Sequence, residues 1–491
     1  MAIDRSLLSG SNGMLLLKLL EEKDLYGYEM IEMLRERSMN VFELKAGTLY
    51  PILHKLEEQI RCKKAIPFIQ KELEDHIEDQ KMAYLASGMT EYEAEEAAVE
   101  QMGDPVAAGM ELDQVHRPKM AWGMIVLAGA LYFAGFLVRF LVEAALGVDF
   151  LSAKVGASYL FSFMIMIGVC FWDYSRIGKW ARELTILASV VLILGIGFGG
   201  KVINGSSGWI LLGGIATVNV RILIFLMIPL YAAVLYQYRG QGYGSIGRGI
   251  LWTVPLVLPA IACGSFYLVL WMVLLCLLIL VYAVSRGWYQ IKKKRTIGGL
   301  AFMGCLLPSL SVGYLWVFGA TYQKERALAI LSPFHSETNE TVRFFRTVVS
   351  DSRFVGGSTE AINMLASGER TEDLLTYLLS FYGILVTVLL VGMMAVLLGV
   401  LFRHAARQKN QLGRMMGFAC TVVLARQILV YTAGCLGLTM PQNVYCPFLG
   451  SGGSGALMTG VLLGILLSIY RYQNVISDVK IRKKSRQQTK E

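Results

Sequence analysis

Charge is scarce in this chain. Of its 491 residues 17% are Asp, Glu, Lys or Arg and 55% are hydrophobic, and the mean hydropathy is +0.51. A water-soluble protein of this length carries more charge, so composition alone points to a bilayer. Histidine is scarcer still. The five residues His54, His76, His116, His335 and His404 stand singly, which offers no set of metal ligands. The eight cysteines have no paired spacing and fall mostly in apolar stretches, where a thiol behaves as a small hydrophobe. Neither a disulfide framework nor a zinc site is expected, and no cofactor is indicated. The first 119 residues hold no apolar core of a secretory signal, so insertion is expected to begin at the first span.

Long apolar runs are what the chain has instead. Spans are expected near Trp122–Val142, Gly156–Trp172, Leu184–Gly200, Leu223–Tyr238, Gly249–Gly264, Phe266–Ser285, Gly298–Ala320, Leu374–Phe402, Met415–Leu438 and Gly455–Tyr470. Spans five and six meet at Gly264-Ser265, which fits either a hairpin or one broken helix. Inside a bilayer each backbone polar group must be satisfied within the segment, which makes these runs helices. The expected fold is all-α: a polytopic membrane protein with about ten transmembrane helices behind an N-terminal cytoplasmic helical region.

The net charge of +9 would suit a nucleic-acid binder, but the basic residues sit in alternate short loops and in the tail. Arg176, Lys179 and Arg182 follow span two; Arg239 and Arg248 follow span four; Arg286 and Lys292 to Arg295 follow span six; Arg403, Arg407, Lys409 and Arg414 follow span eight. By the positive-inside rule both termini are expected in the cytoplasm and the polar loop 321–372 outside. Residues 473–491 are a basic cytoplasmic tail.

The front end divides in two. Over residues 1–59, Gly13-Met14-Leu15, Tyr26-Gly27-Tyr28-Glu29 and Leu44-Lys45-Ala46-Gly47-Thr48-Leu49-Tyr50-Pro51 resemble the winged-helix core of PadR-type transcriptional regulators. The resemblance places Lys45, Thr48 and Tyr50 at the start of a DNA-recognition helix. After Glu58 the family's β-wing is missing, which weighs against DNA as a partner. Over residues 60–119, Lys71-Glu72-Leu73, His76-Ile77-Glu78-Asp79 and Gly103-Asp104-Pro105 resemble the helical prefix domain of some bacterial permeases. Within it Thr90-Glu91-Tyr92-Glu93 reads as a capping box that starts a helix.

Residues 120–472 carry, in order, Asn204-Gly205 with Trp209-Ile210 and Leu212-Gly213-Gly214, Arg326 with Leu331-Ser332-Pro333, Gly356-Gly357, Thr371-Glu372, Gln427, and Pro447-Phe448 with Gly452-Gly453-Ser454. In these positions the segment resembles the SEDS family, the RodA/FtsW/SpoVE membrane proteins of bacterial cell-wall synthesis, cell division and cell shape. The resemblance implies a peptidoglycan glycosyltransferase of the bacterial plasma membrane that polymerises a lipid-linked peptidoglycan precursor. A class B penicillin-binding protein is its implied partner. It places Glu372, with Asp373 beside it, as the catalytic carboxylate where the loop enters span eight. Arg326, Arg343, Arg346, Arg370 and Gln427 are the candidate substrate-binding residues. The chain also departs from the family. Arg221 stands where an acid is usual, Ala262 replaces an aspartate, Ser380-Phe381 replaces a pair of glutamates, and Tyr431 an asparagine. A non-catalytic membrane regulator and a lipid-precursor flippase remain the alternatives.

Overall fold

The computed structural model describes residues 59–63, 65–90, 93–94, 97–98, 101, 105–146, 153–203, 206–212, 216–321, 323–325, 328, 340–358, 373–439, 444–450 and 452–475. The chain forms two compact units, 1–118 with 474–479 and 119–473 with 480–491.

In the first unit, α1 (Ile66–Ala86) starts with a proline in its first turn, where no amide hydrogen is needed, and buries Ile69 and Ile77. Ala83, further along the same helix, is exposed. The capping box forms: the Glu93 carboxylate accepts from the Thr90 amide and hydroxyl at 3.1 and 2.8 Å, and the Glu93 amide donates to Thr90 Oγ1 at 3.4 Å. Those bonds hold the Glu93 carboxyl below the usual range. On α2 (Pro105–His116) Asp113 accepts from the Arg61 amide at 3.0 Å and pairs with Arg117 at 2.8 Å. Burial would raise its pKa, but the hydrogen bonds and charges of Arg117 and Arg61 outweigh it, and the net shift is downward.

The second unit is a helical bundle. Its helices are α3 (Trp122–Leu146), α4 (Ala153–Phe171), α5 (Tyr174–Lys179), α6 (Ala181–Gly199), α7 (Val220–Leu223), α8 (Met227–Gln237), α9 (Gly244–Leu251), α10 (Val254–Ala262) and α11 (Phe266–Ser285). They continue with α12 (Lys293–Phe318), α13 (Glu340–Ser350), α14 (Leu374–Tyr382), α15 (Ile384–Arg407), α16 (Gln411–Cys435) and α17 (Gly453–Arg471). Among the described residues nine helical segments are long and apolar enough to cross a membrane, and Gly156–Phe171 is a shorter apolar tenth. This is the polytopic helical fold expected. Gly264, at φ +65, makes the turn between α10 and α11, so spans five and six are a hairpin.

Small residues set the tightest helix pair. Ala456, Gly460, Gly464 and Ser468 recur every fourth residue on α17 and lie against α4. A Cβ on Gly460 would meet the Ser162 carbonyl at 2.5 Å, and one on Gly464 would meet Val169 Cβ at 2.6 Å. Ser162 Oγ donates to the Ala456 carbonyl at 2.7 Å, and Ser468 Oγ to the Trp172 carbonyl. The backbone approach thus doubles as polar satisfaction. Phe448, in a left-handed conformation at φ +70, tucks its ring against Tyr132 at 5.0 Å, and its carbonyl presses onto Gly135.

Two features go beyond the sequence reading. A three-stranded antiparallel sheet, β1 (Gly200–Ile203), β2 (Ser206–Leu212) and β3 (Ala216–Asn219), joins α6 to α7. Span eight, expected as one helix, is two: it breaks at Gly383 between α14 and α15.

Candidate functional site

The break at Gly383 organises the region where the loop meets the membrane body. Gly383 has φ +91 and ψ 177, a conformation open essentially to glycine alone. A broken helix leaves carbonyls at the end of α14 and amides at the start of α15 without helical partners, which is costly in hydrocarbon. Residues 353–358 of the loop satisfy them. Ile384 and Leu385 amides donate to the Arg353 and Phe354 carbonyls at 3.0 and 3.1 Å. Gly356 and Ser358 amides donate to the Tyr382 and Ser380 carbonyls at 3.3 and 3.0 Å. The loop is therefore clasped onto α14 by backbone bonds at its lower end.

At the upper end of α14 stands Asp373, half-buried, its carbonyl accepting the amides of Thr376 and Tyr377 at 2.9 and 3.3 Å. Its carboxylate lies within electrostatic reach of Tyr377, Tyr431 and Cys435. Two side-chain bonds lock the start of α14 against the end of α16. The Leu375 amide donates to Tyr431 Oη at 3.4 Å, and Thr376 Oγ1 donates to the Cys435 carbonyl at 3.2 Å. Residues 374 to 380 are all buried, so the end of α14 that carries Asp373 is rigidly framed.

Over this frame lies α13, drawn from the loop. Its spacing buries Val342, Phe345 and Val348 on one face and leaves Arg343 exposed on the other. Arg346 Nε donates to the Gly437 carbonyl at 2.9 Å. Gly437, at φ +64, lets α13 come this close, because a Cβ there would meet Arg346 Cγ at 2.8 Å. Asp373 and Arg346 thus both border the same end of α16. Gln427 lies one turn below Tyr431 on α16 and is buried, with Nε2 3.9 Å from Met458 Sδ and Oε1 accepting from Arg426 Nη1 at 2.8 Å. Arg343 stands apart. Arg326, Arg370 and Glu372, like Lys45, Thr48 and Tyr50, lie outside the described residues.

Chemically, this is a carboxylate on the N-cap residue of α14, within electrostatic reach of the Tyr431 hydroxyl. Such a group can accept a proton from a hydroxyl presented to it. The tie from Tyr431 to the Leu375 amide and the clasp on Gly383 escaped sequence reading. Gly383 inside an apolar run was the one available signal, and a glycine is common enough in spans to pass unnoticed.

A family model described as "Cell cycle protein", for FtsW, RodA and SpoVE, matches residues 120–475. The chain belongs to this family. As an FtsW/RodA/SpoVE family member it is similar to proteins named probable peptidoglycan glycosyltransferase FtsW. That of Coxiella burnetii is 24% identical over 292 residues, 56% of this chain and 74% of the relative. That of Saccharophagus degradans is 24% identical over 310 residues, covering 59% and 75%.

Solved structures share the fold. A chain from a peptidoglycan synthase complex, studied for its coordination of polymerization and crosslinking, superposes with TM-score 0.59 at 21% identity, over 72% of this chain and 98% of the other. The rod shape determining protein RodA of Thermus thermophilus gives TM-score 0.50 at 17% identity, over 72% and 97%. A model of the transcriptional regulator PadR-like family matches residues 16–64.

Against that family, the structure accounts for two of the substitutions as packing. Ser380 is fully buried and donates to the Thr376 carbonyl at 2.9 Å, and Tyr431 spans the gap to α14.

Proposed function

We propose that this FtsW/RodA/SpoVE family protein joins lipid-linked disaccharide precursors into glycan, at the outer membrane surface where the loop 321–372 enters α14. Glu372 or its neighbour Asp373 takes the proton from the attacking sugar hydroxyl. A glycosidic C–O bond then forms as the bond from the anomeric carbon to the carrier diphosphate breaks, and the diphosphate leaves with the electron pair. Arg326, Arg346 and Arg370 of the loop, with Arg343 on the exposed face of α13, supply positive charge toward the leaving group. Gln427 braces α16 below. The observation that carries the reading is the tie of the start of α14, which Asp373 caps, to Tyr431 and Cys435 of α16, in a chain of this family.

The reading sets both termini in the cytoplasm of a bacterium, on the side where the basic loops gather. Residues 1–59 and 60–119 are two cytoplasmic helical modules ahead of the membrane domain 120–472. A class B penicillin-binding protein is the proposed partner, in keeping with the synthase complex whose chain shares this fold. Reconstituted protein, supplied with lipid-linked precursor, tests the site. Removing the general base lowers the polymerisation rate by about 10²–10⁴-fold. Equal polymer yields from wild type, Glu372→Gln and Asp373→Asn would dismiss both carboxylates.

A second reading, a non-catalytic regulator that binds the precursor, draws on the positions where Arg221 and Ser380-Phe381 replace the acids usual in the family. It predicts precursor binding without polymer.

A further inference from the structure

Arg221 and Arg426 carry charge into the membrane body. Arg426 on α16 is 6% exposed, and its guanidinium lies 4.6 Å from the ring centre of Phe225, 4.9 Å from Trp271 and 5.8 Å from Tyr267. Arg221 lies at the start of the span Val220–Gln237, which also carries Phe225. Arg221 is also within electrostatic reach of Cys263, which precedes Tyr267 by four residues. Both arginines therefore border the groove between this span, the α10–α11 hairpin and α16.

Nothing among the described residues neutralises them. Neither is in an ion pair with a carboxylate, and the Nε of each is enclosed without an acceptor. Arg426 Nη1 donates to Gln427 Oε1, and the guanidinium also hydrogen-bonds Tyr267, both of them neutral acceptors. The Arg221 stem is fixed across Gly208 of β2, where a Cβ would meet its Cγ at 2.7 Å. Charge inside a membrane is costly and its retention marks a binding role. Two like charges bordering one groove repel, and an anion bound there offsets both penalties. Guanidinium is suited to this, because its flat fork gives paired hydrogen bonds to phosphate oxygens and stacks on aromatic rings.

We propose that Arg221 and Arg426 form a receptor for the diphosphate group of a polyprenyl carrier, gripping its oxygens directly. A carboxylate-lined site would need a divalent cation between itself and a diphosphate; a guanidinium-lined one does not. The position within the apolar body selects a diphosphate delivered on a lipid over one free in water, although both share the chemistry. The proposal rests on the reading that the chain handles a lipid-linked precursor, and it adds the site that holds the carrier.

The test measures binding of undecaprenyl diphosphate, undecaprenol and inorganic pyrophosphate to the purified full chain in detergent with EDTA present. The expected result is that undecaprenyl diphosphate binds wild type at least tenfold more tightly than either undecaprenol or pyrophosphate. Arg221→Gln and Arg426→Gln each lose at least tenfold for the diphosphate lipid and leave undecaprenol unchanged, while Arg426→Lys loses less. Should Arg426→Gln fail to fold, Arg221→Gln, whose side chain lies outside the aromatic cage, decides alone.

Unchanged affinity in Arg221→Gln, or binding seen only after magnesium is restored, overturns the receptor. Pyrophosphate bound as tightly as the lipid overturns the lipid source. Polymer formation by the same wild-type preparation is scored separately. Polymer without arginine-dependent binding removes this proposal alone, and arginine-dependent binding without polymer removes only the catalytic reading.

Discussion

Replacing Gly383 by alanine is expected to unclasp the loop from the broken span. A Cβ at this position would sit 2.8 Å from the Arg353 carbonyl oxygen, 2.9 Å from that of Phe354 and 3.0 Å from Val355 Cα, all backbone atoms that no rotamer change can move. Holding a residue with a side chain at φ +91 and ψ 177 costs about 1–3 kcal/mol. Relief of the contact displaces the two carbonyls that accept from Ile384 and Leu385, at about 0.5–1.5 kcal/mol for each bond lost. Together these give a destabilisation of about 2–6 kcal/mol. Unfolding of the purified protein in a denaturing-detergent titration reads it, with Gly392→Ala as the control. Gly392 lies on α15 with nothing within 4 Å of its added Cβ, and alanine there is expected to be neutral or to stabilise by about 0.5–1 kcal/mol. A Gly383→Ala protein within about 0.5 kcal/mol of wild type would refute the clasp.

Other consequences are as concrete. Gly464→Leu forces side-chain atoms into Val169 and the Met166 carbonyl, and overpacking of this kind costs typically 1–3 kcal/mol; the same titration reads it, and Gly197→Ala, with open space at its Cβ, should be silent. Tyr431→Phe deprives the Leu375 amide of its acceptor at a cost of about 1–3 kcal/mol, so hydrogen exchange at Leu375 should quicken while exchange in α17 stays unchanged. In the first unit the Asp113 carboxyl is depressed in the folded state. Its contribution is therefore fully present above the ordinary aspartate pKa and is lost as pH falls through the lower folded value. Exchange at the Arg61 amide should accelerate over that acid window, and Asp113→Asn should remove the pH dependence.

The spans were legible because hydrocarbon leaves a backbone few solutions, and a run such as Phe266–Ser285 announces a helix by composition alone. What escaped was non-local. Trp209 to Leu212 reads as a short apolar run, and only pairing with Gly200–Lys201 on one side and Ala216–Asn219 on the other makes it the central strand of a sheet. Leu374 to Phe402 is a continuous apolar stretch, so its break at Gly383 depends on residues 353–358 arriving from the loop to take the freed backbone groups. The carboxylate region was legible as a place, the entry to span eight. Its frame was not, because Tyr431 and Cys435 approach from a helix more than fifty residues away. Arg426 stands as a charge inside an apolar run, whereas its cage of Phe225, Tyr267 and Trp271 gathers from two other segments.

The most direct measurement is the product formed when the purified full-length protein, in lipid vesicles, is given lipid-linked disaccharide precursor, alone and with a class B penicillin-binding protein. Glycan strands longer than the input disaccharide, lost in Glu372→Gln or Asp373→Asn, are the predicted result. Unreacted precursor under both conditions, with the protein folded and the precursor bound, would contradict the account.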